Sequence, residues 1–374
     1  MASTAVKKDY VSHHMPVARV TDTIRAIKGV SKPMELPSDV YTTTEAPKVS
    51  RQMTTSRKIA AGIIFASHVF GLIGVYQMLT MPGLMGLKCF MGCMLIYVLT
   101  GTTGVTAGVH RLWAHRSYKA KWPARLILAF YNTIANQSSI YHWAIEHRVH
   151  HRHVDTDADP HNINRGFFFA HMGWLFAPRT DAFAAARKEI DDSDLRADPI
   201  VMFQDRHYAW LSILLCYVMP TILGAPFVGG SYWKAFCIFA MFRWTLTLHV
   251  TWTVNSVAHT FGTRPYRPEE KATEFAPVSF FSGGEGWHNY HHAFPWDYAA
   301  SETSADIFWR FNLARFWIDS FAALGWVHDR KVQRNVWGVP LTCPGEAPVP
   351  AGAHGHSHGH HGAHAAPAVA EAKQ

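Results

Sequence analysis

Two long apolar stretches constrain the fold of this chain more than any other feature of its sequence. They cover residues 59–80 and 84–109, and each has about the length that a helix needs to cross a bilayer, roughly 20 residues. Two further apolar stretches follow at residues 208–228 and 233–257. The residues that interrupt this second pair are Pro220, Pro226, Arg243 and His249. Four membrane-spanning helices are predicted, with a buried helical hairpin as the alternative for the second pair.

The segments between these stretches predict how the helices are arranged. Only a few residues separate the first two stretches, and the turn Gly229-Gly230-Ser231 separates the last two, so each pair should form a tight hairpin. Arg and Lys are frequent in the N-terminal arm, in residues 110–207 and after residue 261, which the positive-inside rule places in the cytosol. The predicted fold is an all-α integral membrane protein with four transmembrane helices in two hairpins. A cytosolic helical cap, residues 110–207 and 258–333, completes it.

The predicted organisation along the chain has three parts. Residues 1–57 form a polar arm, which we expect to be disordered and which lacks the pattern of a cleavable signal peptide. Residues 58–333 form the main domain. Residues 334–374 form a flexible tail, and its run at 354–364 contains six histidines that could bind Zn, Ni or Cu loosely. Flexibility argues against a catalytic role for this run.

Charge and cysteine content restrict the class of function. The formal net charge of +8 suits a protein on anionic cytosolic lipid, and it would attract an anionic substrate or an acidic redox partner. No motif supports binding to nucleic acid. Four of the five cysteines lie in predicted spans and Cys343 stands alone, so we expect neither disulfides nor a cysteine zinc site.

Histidines outside the tail fall into three clusters. The clusters read His110-Arg-Leu-Trp-Ala-His115, His147-Arg-Val-His150-His151 and His288-Asn-Tyr-His291-His292. Positions i, i+3 and i+4 of a helix share one face, so the second and third clusters should each direct three imidazoles to the same side. We expect His110 and His115 just past the end of the second span, and Asn255 and His259 at the emerging end of the fourth.

Together these histidines predict a metal centre, although any one of them alone is more often a surface or core residue than a ligand. Convergent imidazoles must share a cation, because protonating several of them in one place would cause strong repulsion. About six ligands is the usual limit for one first-row ion, so two metals are the economical interpretation. Imidazole ligands alone allow Zn, Cu, Fe or Ni.

The clusters resemble those of the membrane fatty-acyl desaturases, specifically the stearoyl-CoA Δ9 type. The order HxxxxH, HxxHH, HxxHH matches that family, and the strings HRLWAHRSYKA, VNSVAHTFGTRPY and GEGWHNYHHAFPWDY extend the match from about residue 58 to residue 331. The resemblance implies two iron ions, with Asn255 reaching one of them through water. The implied iron ligands are His110, His115, His147, His150, His151, His259, His288, His291 and His292.

The resemblance also implies the reaction and its setting. It implies an O2-dependent diiron enzyme of the endoplasmic reticulum membrane that introduces a cis double bond, at Δ9, into palmitoyl- or stearoyl-CoA. Both termini and the active site would face the cytosol. No haem-binding His-Pro-Gly-Gly string is present, so electrons should come from a separate cytochrome b5 and its reductase. An unactivated methylene C–H bond offers no acidity to acid–base groups, and breaking it requires redox chemistry that iron can perform and zinc cannot.

Candidate substrate residues follow from the same resemblance, which implies a bent apolar tunnel for the acyl chain. The residues matched to its bend are Gln137, Trp143, Thr251 and Trp252, although the two tryptophans could instead be interfacial anchors. Thr102 matches the closed end, where its bulk would favour shorter chains. Carboxylates expected either to orient histidine rings or to be ordinary surface acids are Glu146, Asp155, Asp157, Asp159 and Glu285.

The head-group position departs from the family pattern. Two charged pairs of the animal enzymes read here as Ile145-Glu146 and Pro178-Arg179, so Glu146 and Arg179 are the charges that remain. Acyl-CoA is the first choice of substrate and an acyl-lipid is the alternative.

Other functions fit fewer of these features. A diiron hydroxylase shares the histidine clusters but not the extended strings. A metal transporter needs ionisable ligands near the middle of the membrane, where the spans hold only His68, Arg243 and His249. A zinc hydrolase would leave most of the histidines unexplained. In the cap, helices are predicted over residues 124–140 and 304–332, the second of them amphipathic.

Overall fold

The computed structural model describes residues 53–301 and 312–333. Most of the predicted N-terminal arm, the His-rich tail with Cys343, and the first part of the helix predicted over residues 304–332 lie outside the described residues. Within the described part the chain is mostly helical, as predicted.

Twelve helices and one short β-ladder organise the described residues. In chain order the helices are α1 (Thr55–Leu79), α2 (Met85–Ala114), α3 (Trp122–Ala135), α4 (Ile140–Arg152), α5 (169–176), α6 (Asp181–Lys188), α7 (Ser193–Ala197), α8 (Pro199–Val228), α9 (232–259), α10 (Ala276–Ser282), α11 (His288–Ala293) and α12 (Leu313–Ala323). Strands β1 (Lys119–Ala120) and β2 (Val327–His328) pair antiparallel. Short helical turns at Ile163–Arg165 and elsewhere join these elements.

Three of the long helices, α1, α2 and α8, are long and apolar enough to cross a membrane. Their outward side chains are large and apolar, including Phe65 and Leu72, which are 69% and 70% exposed. Side chains of this kind are stable on an exposed surface when lipid surrounds them. Helix α9 has the necessary length, but Arg243 and His249 lower its hydropathy, so the fourth span stays a prediction.

Two helices of the membrane region extend beyond the spans predicted for them. Helix α2 continues to Ala114, so His110 lies inside the helix and His115 caps it, rather than both following its end. The last sixteen residues of α2 are π-helical and almost fully buried, so tertiary packing rather than lipid supports this end. Helix α8 begins at Pro199 rather than near residue 208, because the Asp198 side chain accepts a hydrogen bond from the backbone N–H of Ile200 and caps it.

The cap helices are shorter than predicted because backbone turns end them. Helix α3 stops at Ala135, and Asn136 adopts a left-handed conformation with φ 51°. Ser139 then caps α4 by accepting a hydrogen bond from the backbone N–H of His142. Helix α12 ends at Ala323, and Gly325, with φ 68°, turns the chain into β2. Residue 124 to residue 140 is therefore not one continuous helix, and the helix predicted to residue 332 ends nine residues earlier.

Arg243 is fully buried in α9 and is satisfied by backbone carbonyl groups. Its Nη1 donates to the carbonyl of Ile134 at 3.0 Å, and its Nη2 donates to the carbonyl of Cys216 at 2.9 Å. Ile134 lies in the last turn of α3, and Cys216 lies in a π-helical part of α8. Such carbonyls lack a full set of intrahelical partners. The guanidinium therefore joins three helices without a buried carboxylate.

Glycines let the helices approach closely where side chains would clash. A Cβ atom at Gly104 in α2 would lie 2.2 Å from the backbone N of Asn132 in α3. A Cβ at Gly74 in α1 would lie 2.6 Å from the carbonyl oxygen of Cys237 in α9. A Cβ atom at Gly62 in α1 would have no neighbouring atom within 4 Å. The first two glycines are therefore required by packing, whereas Gly62 is not.

We predict opposite effects of alanine at two helical glycines. Gly104→Ala should lower the stability of the detergent-solubilised protein by about 1–3 kcal/mol, because the new methyl overpacks the α2–α3 contact. Gly62→Ala should raise it by up to about 1 kcal/mol, because alanine favours the helix and nothing obstructs it. Thermal unfolding of both variants measures this. Equal melting temperatures for the two variants would contradict the close contact between α2 and α3 at Gly104.

Candidate metal centre

Nine histidines from four helices converge in two groups at one end of the long helices. Five come together as His110, His115, His147, His151 and His291, and four come together as His150, His259, His288 and His292. Within each group, the candidate ligand atoms all lie within 4.8 Å of one another. Helices α2, α4 and α11 contribute to the first group, and α4, α9 and α11 to the second. Each group is suited to one cation.

The two HxxHH clusters divide between the groups in the same way. In α4, His147 and His151 join the group of five, whereas His150 joins the group of four. In α11, His288 and His292 join the group of four, whereas His291 crosses to the group of five. Residues i and i+4 therefore share one group, and the residue at i+3 turns to the other. The spacing predicted that the rings of each cluster share one face of the helix, and the structure adds how they divide between the two groups.

Ring nitrogens lie close to one another within both groups. The Nε2 atom of His291 lies 2.9 Å from Nε2 of His110 and 3.0 Å from Nε2 of His151. In the other group, Nε2 of His288 lies 3.1 Å from Nε2 of His259 and 3.0 Å from Nε2 of His292. Two nitrogens bound to the same ion lie at similar separations, because zinc-to-nitrogen bonds, for example, are about 2.0–2.1 Å long.

Carboxylates hold the outer nitrogens of several rings. Asp159 lies 2.8 Å from Nδ1 of His150, and Glu270 lies 3.2 Å from Nδ1 of His292. A carboxylate can only accept, so the proton of each neutral ring belongs on Nδ1 and the lone pair on Nε2 points into the group. Lone pairs converging on one point repel one another unless a cation lies between them. The donor set therefore fits a metal ion in each group.

Glu285 fixes His110 in the group of five. Its carboxylate lies 3.0 Å from Nδ1 of His110 and 2.7 Å from the guanidinium of Arg111. Burial alone would raise the pKa of Glu285, but these two partners lower it to about 2. Glu285 therefore stays ionised and keeps His110 oriented at neutral pH.

Burial keeps most of the rings neutral. It lowers the pKa of His115 and of His147 well below the usual value, and neighbouring histidines lower both further. Neutral imidazole is the form that binds metals. At pH 7 these rings are therefore ready to act as ligands without releasing a proton.

The carboxylates were only partly foreseen from the sequence. Asp159 and Glu285 contact histidine rings, and Asp155 lies 3.6 Å from Nδ1 of His259. Glu270 was missed, because only the fold brings it near His292. His161 was also missed; its ring packs 5.0 Å from that of His150.

A cavity of about 690 Å³ extends from the histidines between the long helices. Its size falls within the usual range for sites that bind small molecules. Every residue predicted to contact substrate lines it, and so does Asn255. Those residues are Thr102, Gln137, Trp143, Glu146, Arg179, Thr251 and Trp252. Both tryptophans therefore face the cavity, and Trp252 is only 3% exposed.

Three contacts shape this cavity. Gln137 donates a hydrogen bond to the hydroxyl of Thr251 at 2.8 Å, which joins the α3–α4 turn to α9. Trp143 stacks on His147 with ring centroids 4.8 Å apart, so its indole lies beside the group of five. In the cavity lining from α2, Thr102 accepts a hydrogen bond from the indole of Trp317 at 3.0 Å.

The two histidines predicted to lie within the membrane spans contact each other. Nε2 of His68 lies 3.0 Å from Nε2 of His249, and Nδ1 of His249 lies 3.0 Å from Nε2 of His171 in α5. Each nitrogen of His249 therefore faces a different ring, so the three do not converge on one point. This arrangement joins α1, α5 and α9.

Comparison with known proteins gives a consistent result. A family model described as "Fatty acid desaturase" matches residues 86–300. The chain is 44% identical over 275 residues to "Acyl-CoA Delta-9 desaturase" of Acheta domesticus, which covers 72% of this chain and 75% of that protein. It is 43% identical over 270 residues to "Stearoyl-CoA desaturase 5" of Bos taurus, covering 72% and 78%. It is also 46% identical over 229 residues to "Acyl-CoA Delta-12 desaturase" of Tribolium castaneum, covering 61% and 63%.

Metal analysis tests the two groups independently. We predict about two metal ions per chain in the wild type, and about one after either His115→Ala or His259→Ala, because each change removes a ligand from one group only. The exposed His207, outside both groups, provides the control His207→Gln. Elemental analysis of purified protein gives the ratio. A wild-type ratio of one, or full retention in both variants, would contradict two separate metal positions.

Proposed function

The chain belongs to the fatty acid desaturase family, and we propose that it is an acyl-CoA desaturase that uses O2 to introduce a cis double bond at Δ9. The observation that carries this proposal is the contact between the two histidine groups and the cavity. His110, His147, His150 and His288 line the cavity directly. A chain lying in it would therefore place its methylene groups beside the metal ligands. Palmitoyl- and stearoyl-CoA are the proposed substrates.

Iron is the proposed metal in both groups. Two iron ions, when bound, would supply the redox chemistry with O2 that an unactivated C–H bond requires. The nine histidines would hold them, and Asn255 would reach the group of four through a water molecule. The net reaction consumes O2, two electrons and two protons, and gives the alkene and two waters.

The remaining residues would bind and orient the substrate. The bond between Gln137 and Thr251 would brace the bend of the cavity, and the walls formed by Trp143 and Trp252 would exclude water from the reacting carbons. Fixing two adjacent methylenes beside the ligands is how a buried site selects one position on a uniform chain. Glu146 and Arg179 would contact the head group at the cavity mouth.

The proposed setting is the endoplasmic reticulum membrane. Helix α9 would form the fourth span, with both termini and the histidine groups in the cytosol. Its buried Arg243 is compatible with a membrane, because backbone carbonyls satisfy the guanidinium. Cytochrome b5 and its reductase would deliver the electrons from the cytosolic side.

Expression in a desaturase-deficient yeast tests the reaction and the position together. We expect new cis-Δ9 C16 and C18 acids by gas chromatography, and none with His291→Ala, matched for expression. A double bond at another position, such as the Δ12 position in the name of the Tribolium relative, would overturn Δ9 but not desaturation. No unsaturated product from a well-expressed, iron-loaded protein would overturn both.

The closed end of the cavity gives a prediction on chain length. Thr102→Ala should increase the ratio of C18 to C16 products about tenfold, because one methylene in an apolar pocket is worth about 1–3 kcal/mol. The adjacent Thr103 is buried but does not line the cavity, so Thr103→Ala is the matched control. The product ratio in yeast measures the effect. An equal ratio in both variants would remove Thr102 from this role.

A further inference from the structure

Carboxylates are distributed unequally between the two histidine groups. Three of them face outer nitrogens of rings in the group of four, namely Asp159 at 2.8 Å from His150, Asp155 at 3.6 Å from His259 and Glu270 at 3.2 Å from His292. In the group of five, Glu285 makes the one such contact formed within the described residues, at 3.0 Å from His110. The two groups therefore differ in the negative charge that their rings contact.

Basic partners increase this difference. Glu285 uses its second oxygen to bind the guanidinium of Arg111 at 2.7 Å, so its charge is balanced. In the group of four, Glu270 binds Arg267, but neither aspartate contacts an Arg or Lys side chain in the part of the chain that the structure describes. The Glu270 oxygen that faces its histidine receives no hydrogen bond from any other described residue. The surroundings of the group of four are therefore net negative.

The other charges beside the group of five balance one another. Arg116 and Arg148 line a cavity of about 390 Å³ together with His115. Both guanidiniums bind Asp194, at 2.6 and 2.7 Å, and Arg116 also lies 3.8 Å from Asp191. These side chains therefore add little net charge near His115, and the negative excess belongs to the group of four.

Burial strengthens the effect of charge in the group of four. All four of its rings are buried, whereas His115, His147 and His151 of the group of five are partly exposed. Water and salt screen charges near exposed groups more strongly than charges in the interior. Ferric iron carries one more positive charge than ferrous iron, so nearby carboxylates stabilise the ferric state preferentially. They thereby lower the reduction potential of an ion that they surround.

We propose that the group of four holds its ion at a lower reduction potential than the group of five, and that Glu270 is a positioning residue that contributes to this difference through His292. The inference rests on the proposed function, specifically on iron, and deepens it. With a one-electron donor, the first electron would convert ferric to ferrous iron in the group of five. The second electron would do so in the group of four.

Redox titration of single-iron variants measures the two potentials separately. His115→Ala should keep the iron of the group of four, and His259→Ala should keep that of the group of five. Full-length protein in detergent is reconstituted with iron and poised with mediators, and Mössbauer spectroscopy gives the ferric fraction. The His115→Ala protein should favour ferric over ferrous iron about tenfold more strongly, which lowers its potential by about 59 mV for one electron.

Substitutions at Glu270 test its role in the His115→Ala background. Glu270→Gln keeps an acceptor for Nδ1 of His292 but removes the charge, and it should raise the potential by about 59 mV. Glu270→Asp keeps the charge and should stay closer to the parent. The adjacent, exposed Glu269 provides the matched control Glu269→Gln, which should cause little change. In the His259→Ala background, Glu270→Gln should also have little effect.

Each outcome supports or overturns a stated part of the inference. Equal potentials in the two single-iron proteins, or a higher one in His115→Ala, would overturn the difference between the groups. Equal shifts from Glu270→Gln and Glu269→Gln would overturn the role of Glu270. If a single-iron variant does not fold, Glu270→Gln in the two-iron protein should raise the lower of the two potentials selectively, and any other pattern would overturn the inference.

Reconstitution in vitro separates this inference from the proposed function, because the potentials do not depend on the metal that the cell supplies or on product formation. A lower potential for the group of four, without any double bond formed after stearoyl-CoA, O2 and reductant are added, would reject the proposed function alone. New Δ9 product in yeast together with equal potentials would reject this inference alone.

Discussion

Convergent lone pairs are the constraint on which the rest of this structure depends. Nδ1 of His150, His292 and His110 faces a carboxylate, so the Nε2 lone pairs point inward, where only a cation makes their proximity favourable. A cation held in each group would stabilise the burial of such polar side chains. It would also stabilise the meeting of α2, α4, α9 and α11 at this place, since each contributes rings to at least one group.

Local periodicity predicted the helices that carry the candidate ligands. The grouping of these ligands depends on contacts between distant parts of the chain. The i, i+3, i+4 spacing of His147, His150 and His151 placed them on one face, because helix geometry depends only on sequence separation. The division into five and four was not predictable, since His110 and His291 are 181 positions apart in the sequence and meet only when the chain has folded. Glu270 was missed for the same reason. The resemblance to fatty acid desaturases is confirmed by the comparisons, and the ligand roles stay predictions.

Hydropathy predicted where the long helices lie but not where they end. Hydropathy averaged over the length of a span measures how favourably a segment transfers from water to lipid. The end of α2 near His110 is stabilised instead by burial against the cap. Helix α9 shows the opposite case, because Arg243 lowers its hydropathy but is satisfied by the carbonyls of Ile134 and Cys216. Hydropathy treats each residue as though it faced solvent or lipid alone. It does not account for the hydrogen-bond partners that other helices supply.

The segment after α12 completes the cap around the first histidine cluster. The backbone N–H of Lys331 donates to the carbonyl of Ser117, and its carbonyl accepts from the N–H of Tyr298. About 220 residues separate His110 from Lys331 along the chain. At about 5–20 residues per second, a ribosome needs on the order of 10 to 45 seconds to make them. During each round of synthesis, the first histidine cluster is therefore made long before the segment that completes the cap around it.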